Sequence, residues 1–131
     1  AEMGKPTAEA EGEMDWVIGA CDTKFDDMAA GLTPDQLDDG STCSSIYFDP
    51  YGVAAVITPW NFPLPEVSYK LGPASAAGCT VVVKPSELTP LTALRLAELI
   101  QKNGAPAGSC NCCNRFGAVG RRLSSSPSRG G

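Results

Sequence analysis

The chain has 131 residues, 43% of them hydrophobic, a net charge of −5, six cysteines and no histidine. That is the composition of one modest folded domain, not of a disordered segment. The missing histidine removes Ser-His-Asp, Cys-His and His-metal chemistry, no window approaches the ~18 apolar residues of a membrane span, and no basic-then-apolar leader opens the chain.

Charge is unevenly divided. Residues 1–49 hold twelve acids against Lys5 and Lys24, whereas residues 50–131 hold Glu66, Glu87 and Glu98 against eight bases. The second part is net positive, which suits an anionic ligand such as a dinucleotide. No basic stripe with interleaved aromatics points to nucleic acid. The Cys110-x-Cys112-Cys113 run lacks the set of about four spaced ligands that a zinc site needs. The cysteines read as reduced, structural thiols of a cytoplasmic protein, with no metal.

In chain order, residues 7–28 read as an acidic amphipathic helix opened by Pro6-Thr7. Trp16, Val17, Ala20 and Cys21 fall at helical spacing, and a buried stripe is expected there. Gly31 to Gly40 reads as a polar, Asp-rich connector with a turn or short helical start at Thr33-Pro34-Asp35. Ser45–Phe48 is a short strand candidate. Val53-Ala54-Ala55-Val56-Ile57 is a continuous apolar run ended by Thr58-Pro59, the pattern of a strand buried on both faces of a parallel sheet.

Leu64–Ala77 reads as a crossover helix stopped by Gly78, and Thr80–Val83 as a second β-branched strand. Thr89-Pro90 supplies an N-cap and a first-turn proline for a helix Pro90–Asn103 ended by Gly104. Ser109–Cys113 fits a third strand and Gly117–Ser124 another helix. Strand–helix alternation with short links predicts an α/β fold. Its expected core is a partial doubly wound (Rossmann-like) parallel sheet preceded by an acidic helix. The boundaries are 1–49 for helix and connector, 50–123 for a partial dinucleotide-binding domain and 124–131 for a disordered Ser/Arg/Pro/Gly tail.

Tyr51-Gly52-Val53, Thr58-Pro59-Trp60-Asn61-Phe62-Pro63, Lys70-Leu71-Gly72-Pro73-Ala74, Ala76-Ala77-Gly78-Cys79-Thr80, Lys84-Pro85-Ser86-Glu87 and Thr89-Pro90-Leu91-Thr92-Ala93 follow one another in the order and spacing of the NAD(P)-dependent aldehyde dehydrogenases. Residues 50–108 resemble that superfamily closely, and Gly4-Lys5-Pro6 with the acidic helix more loosely. The resemblance implies oxidation of an aldehyde through a cysteine thioester, with hydride passing to NAD, or NADP. It also implies a homo-oligomer for the full-length protein, without nucleic-acid or membrane partners.

Carried over by resemblance, Asn61 is the oxyanion donor and Lys70 belongs to a proton path. Ile57, Thr58, Pro59, Trp60, Lys84, Ser86, Glu87 and Gly117 line the cofactor. A fixed amide donor at a developing oxyanion is worth ~10²–10³ in rate. A lysine donor and a carboxylate acceptor at a strand's C-terminal end can bind a ribose diol, and the carboxylate repels a 2′-phosphate, favouring NAD. Read alone, Asn61 is a loop asparagine bonding its own backbone, Lys84 and Glu87 an exposed turn pair, and Trp60 an ordinary core residue.

The sequence also departs from the family. No segment matches the Phe-Thr-Gly-Ser, general-base glutamate or catalytic-cysteine motifs. Arg115 stands where glycine is usual, Cys112-Cys113 replaces an aliphatic pair, Arg121-Arg122 replaces small residues, and Ser75 falls where an apolar residue normally packs. The reading is therefore a fragment of an aldehyde dehydrogenase, inactive by itself. The alternative is a non-catalytic nucleotide-binding or protein-interaction module derived from that family.

Overall fold

Two β-branched runs set the centre of the molecule. The computed structural model describes residues 2–127. Its elements are α1 (Thr7–Ala30), β1 (Asp35–Asp38), β2 (Cys43–Ile46), β3 (Val53–Ile57), α2 (Pro63–Ala76), β4 (Thr80–Lys84), α3 (Leu91–Lys102), β5 (Cys110–Cys112) and α4 (Gly117–Ser124). β3, β4 and β5 form a parallel sheet in that order, with Ile57 opposite Lys84 and Val83 opposite Cys112. The expected strand–helix–strand–helix–strand order is borne out, and the sheet is a partial Rossmann-like one.

The sheet's two faces are unequal. Val56, Val81, Val83 and Cys110 on one face form a single buried cluster with Val67 and Leu71 of α2 and Ala93 and Ala97 of α3. Each fully buried valine there contributes about 1.5–3 kcal/mol over an exposed one. The other face carries Val53, Ala55 and Ile57, all exposed, and α4 reaches β3 from that side. β3 was expected to be buried on both faces. It is instead an edge strand with only Val56 buried, and the two-sided reading fits β4 better.

α2 ends at Ala76 because Gly78 takes a left-handed backbone (φ 83). Its amide bonds the Ser75 carbonyl and that of Cys79 bonds Ala74, so the helix's last carbonyls are satisfied as the chain turns into β4. α3 is capped differently from expectation. Pro90 is the N-cap and offers no side chain, while the Thr89 hydroxyl turns away and donates to the Trp60 carbonyl at 3.4 Å. Glu2 supplies the missing acceptors. The Leu91 and Thr92 amides donate to its two carboxylate oxygens at 2.7 and 3.0 Å, and the Thr92 hydroxyl bonds it too. A carboxylate at a helix N-terminus is favoured by both hydrogen bonding and the dipole.

The acidic connector is also more ordered than its composition indicates. β1 and β2 form an antiparallel hairpin with Asp35 opposite Ile46 and Asp38 opposite Cys43. The second strand lies two residues earlier than the Ser45–Phe48 expectation. Asp39 closes the turn by accepting from the amides of Ser41 and Thr42 and the Ser41 hydroxyl at 2.7–2.9 Å. These bonds, the hydroxyl first, hold its carboxyl below the usual range.

α1 runs two residues past its expected end and lies against α2. Of its expected buried stripe, Val17 is buried and Ala20 and Cys21 are half-buried, but Trp16 is 53% exposed. Its ring stacks on Tyr69 at 6.0 Å and 13°. Among the described residues no helix is long and apolar enough to cross a membrane. Of the expected tail, Ser124 ends α4 and residues 128–131 lie outside the described residues.

Candidate cofactor and active site

The C-terminal ends of β3 and β4 open at one edge of the sheet, where α/β folds place ligands. Lys84 is the last residue of β4 and is 4% exposed. A lysine so enclosed needs partners for its ammonium. Nζ donates to the Pro85 carbonyl at 3.0 Å and to Glu87 Oε2 at 3.1 Å. Glu87 is held below the usual carboxylate range by its own backbone amide first, then by the Lys84 hydrogen bond and charge, with the Gly117 amide adding to these. Glu87 itself faces solvent. The ion pair thus carries its lysine in the protein and its carboxylate at the surface.

α4 completes this corner. Gly117 is its first residue, and Gly120 is buried over the lysine stem. A Cβ added at Gly120 would meet Lys84 Cδ at 3.4 Å and Ile57 Cγ2 at 3.9 Å. Arg121 and Arg122 point outward, so the basic pair is accommodated because the small residue turns inward. At the neighbouring strand end the Thr58 amide donates to the Lys84 carbonyl at 3.2 Å. Thr58 is 6% exposed, and its hydroxyl oxygen is buried without a hydrogen-bond partner.

Lys84, Glu87 and Gly117 therefore converge, with Ile57 and Thr58 beside them. Ser86 serves the turn itself: its hydroxyl accepts from the Leu88 amide at 3.2 Å and its carbonyl from Thr89. Pro59 and Trp60 are exposed beyond β3, so Trp60 is not a core residue. Asn61 is exposed immediately before α2. No hydrogen bond joins its side-chain amide to its own backbone or to any other described residue. Lys70 is on an exposed stretch of α2, ion-paired with Glu66 one turn earlier.

Two features escaped the sequence reading. Lys5 pairs with Glu13, both side chains about nine-tenths enclosed, and its ammonium sits 4.3 Å over the Phe62 ring. The residue following Asn61 is thereby held by the N-terminal segment. Separately, a cavity of about 90 Å³ lies between α1 and α2, lined by Trp16, Tyr69 and Met28 among others. Lys24 Nζ lies 4.2 Å over the Tyr69 ring and donates to its hydroxyl at 2.7 Å. No three His, Cys, Asp or Glu side chains converge as a metal site among the described residues.

The aldehyde dehydrogenase family matches the chain over residues 1–129. The chain belongs to that family. Succinate-semialdehyde dehydrogenase [NADP(+)] GabD of Escherichia coli K12 is 42% identical over 96% of this chain and 27% of its own length. The mitochondrial succinate-semialdehyde dehydrogenase of Arabidopsis thaliana is 45% identical over 84% of this chain and 21% of its own. Among solved structures, betaine aldehyde dehydrogenase of Staphylococcus aureus in complex with NAD+ superposes with a TM-score of 0.84 at 38% identity, over 92% of this chain and 24% of that one. This aldehyde dehydrogenase chain spans about a quarter of the length of the curated relatives it matches.

Proposed function

We propose that this chain supplies the adenosine side of an NAD(P) site and the oxyanion donor of an aldehyde-oxidising enzyme, an oxidoreductase of the cytoplasm that works as a homo-oligomer at full length. The observation that carries the reading is the buried Lys84 whose ammonium emerges beside Glu87 at the C-terminal end of β4. Gly120 leaves room for the lysine stem, Gly117 adds a backbone donor, and the Thr58 hydroxyl still lacks a partner. This donor and acceptor set fits a ribose diol.

In this reading Lys84 donates to one ribose hydroxyl, and Glu87 accepts from the diol and disfavours a 2′-phosphate. Ile57, Pro59, Trp60 and Ser86 shape the wall beside it. The nicotinamide cofactor, when bound, supplies the hydride acceptor. Asn61, free of competing hydrogen bonds, directs its side-chain N–H at the carbonyl oxygen of an aldehyde, where negative charge grows during attack. Lys5 keeps Phe62, and with it the Asn61 backbone, in place. Lys70 serves proton movement only if it leaves Glu66.

Calorimetry with the 131-residue chain tests the site. ADP-ribose and AMP bind nearly as well as NAD, because the residues that would hold the far half of the dinucleotide are not in this sequence. Lys84→Met and Glu87→Ala each weaken binding by about 1 kcal/mol or more, Glu87→Ala narrows the preference for NAD over NADP, and Asn61→Ala leaves binding unchanged. Binding that survives the double Lys84/Glu87 change places the site elsewhere. The same protein alone forms no NADH from simple aldehydes.

A further inference from the structure

The cavity between α1 and α2 has no part in the reading above. It follows α2 from Pro65, in that helix's first turn, to Pro73. Asn61 stands two residues before α2 begins, so the cavity continues along the helix from the oxyanion donor. At 1.5 Å per residue, Tyr69 lies about 9 Å along the axis from Pro63. The walls are apolar. The Trp16 and Tyr69 rings are nearly parallel, with planes 13° and centroids 6.0 Å apart, and Met28, Pro65 and Pro73 add aliphatic surface. Among the described residues one charged side chain lines the cavity, and it is Lys24. Lys24 is half-buried, with its ammonium 4.2 Å over the Tyr69 ring and donating to the Tyr69 hydroxyl at 2.7 Å. Among the described residues no carboxylate pairs with it. A single hydroxyl leaves the ammonium with two further donors to place.

We propose that this cavity holds the tail of the aldehyde, and that Lys24 selects aldehydes carrying a carboxylate at the far end, an inference that rests on the aldehyde-oxidising reading of Asn61. The aliphatic body of such a molecule lies against the two rings. Its carboxylate accepts charge-assisted hydrogen bonds from the Lys24 ammonium, which are stronger than neutral ones. The Tyr69 hydroxyl accepts from Lys24 and so keeps its own proton to donate to the same carboxylate.

Charge sets the selectivity. A tail ending in an ammonium meets the Lys24 charge at close range and is rejected, and a neutral tail leaves the Lys24 donors unplaced. The acids of α1 oppose an incoming anion, but Asp26 and Asp27 are exposed. Their repulsion acts through water and salt, screened over about 8 Å at physiological ionic strength, whereas Lys24 acts in contact.

The test is NMR on the folded 131-residue chain at neutral pH. The probes are butyrate, butylammonium and the monoamides of glutaric and adipic acids, whose amide carbonyl stands in for the aldehyde. Butyrate is expected to shift the Trp16 indole resonance and to leave that of Trp60, the other tryptophan, in place. The monoamides shift Trp16 as well, and at least one of them also moves the Asn61 side-chain amide. Butylammonium shifts neither indole. Lys24→Met weakens butyrate roughly 10-fold, the worth of a hydrogen bond to a charged group, and Lys24→Arg retains it. Butylammonium that moves Trp16 as far as butyrate does, butyrate that leaves Trp16 in place or binds Lys24→Met undiminished, or monoamides that move Trp16 but never Asn61 each overturn the proposal. The maps on the unsubstituted chain decide even if a variant fails to fold. Nucleotide calorimetry reads the Lys84 site separately, so a chain that binds the carboxylates as expected but no ADP-ribose faults the cofactor reading and not Lys24.

Discussion

Lys84 and Glu87 divide one ion pair between interior and surface, and this gives the pair a definite pH signature. Glu87 titrates below the ordinary carboxylate range, chiefly through its own backbone amide and then through Lys84. A group whose folded pKa is depressed stabilises the fold above its unfolded pKa, and that contribution disappears as pH falls through the folded value. The pair is therefore complete at neutral pH and is lost on the acid side of the carboxylate range. Glu87→Gln should lower the urea midpoint at neutral pH and converge with the parent as the solution is acidified. Glu98 complicates the absolute curve, since Lys102 and then Arg95 hold it at about 2. The measurement is best made as a difference in a Glu98→Gln background. A Glu87→Gln effect that persists undiminished in acid would show that the pair's charge is not the cause. The Lys84-Pro85-Ser86-Glu87 run was legible in the sequence as a site because its spacing at a strand end is chemically informative. That its lysine is buried, with its stem lying across Gly120, was not, because Gly120 meets Lys84 only through the return of α4 to β3.

Helix α3 shows how far a helix end can depend on distant sequence. Local signals placed its cap at Thr89, and the structure uses Glu2 instead. Glu2→Ala should cost about 1 kcal/mol of stability, the usual value of a lost N-cap, with a smaller loss for Glu2→Gln, which keeps an acceptor but not the charge. Thr89→Ala should cost little through α3, since its hydroxyl serves the Trp60 carbonyl. Chemical denaturation of the three variants checks this, and a larger loss for Thr89→Ala than for Glu2→Ala would reverse the assignment. Periodicity and β-branched runs found β3, α2, β4 and α3 because those segments bury one consistent face. In the β1–β2 hairpin, the second strand was placed two residues late and the first was missed, for the opposite reason. All eight of its strand residues are exposed, so no apolar alternation marks it. The remaining signal was Asp39-Gly40, a turn dipeptide that the acidic composition around it obscured. Trp16 illustrates a third limit: helical spacing identified the face of α1 but not that the ring would stack on Tyr69 of α2 and still be 53% exposed.

At the scale of the molecule, only one face of the parallel sheet is fully covered. Val53 is 66% and Ile57 41% exposed on the other face, and Tyr51 just before β3 is 97% exposed. β3 and β5 are both edge strands among the described residues, and unpaired edges beside apolar surface favour association. The 131-residue chain should therefore self-associate with rising concentration and unfold over a broad range. The expected origin is the β3 edge, because that strand joins an open ladder to an open apolar face, whereas β5 presents its Cys110 and Cys112 side to α3. Val53→Lys places a charge on the exposed face without touching the buried Val56. Sedimentation velocity across a concentration series should show the parent shifting to larger species and Val53→Lys remaining smaller at the same concentrations. Equal association of the two proteins would move the contact away from β3, to the exposed hairpin with Leu37 and Ile46. A parent that stays monomeric and unfolds in one sharp transition would mean that the half-covered sheet is self-sufficient, as an independent nucleotide-binding or interaction module requires.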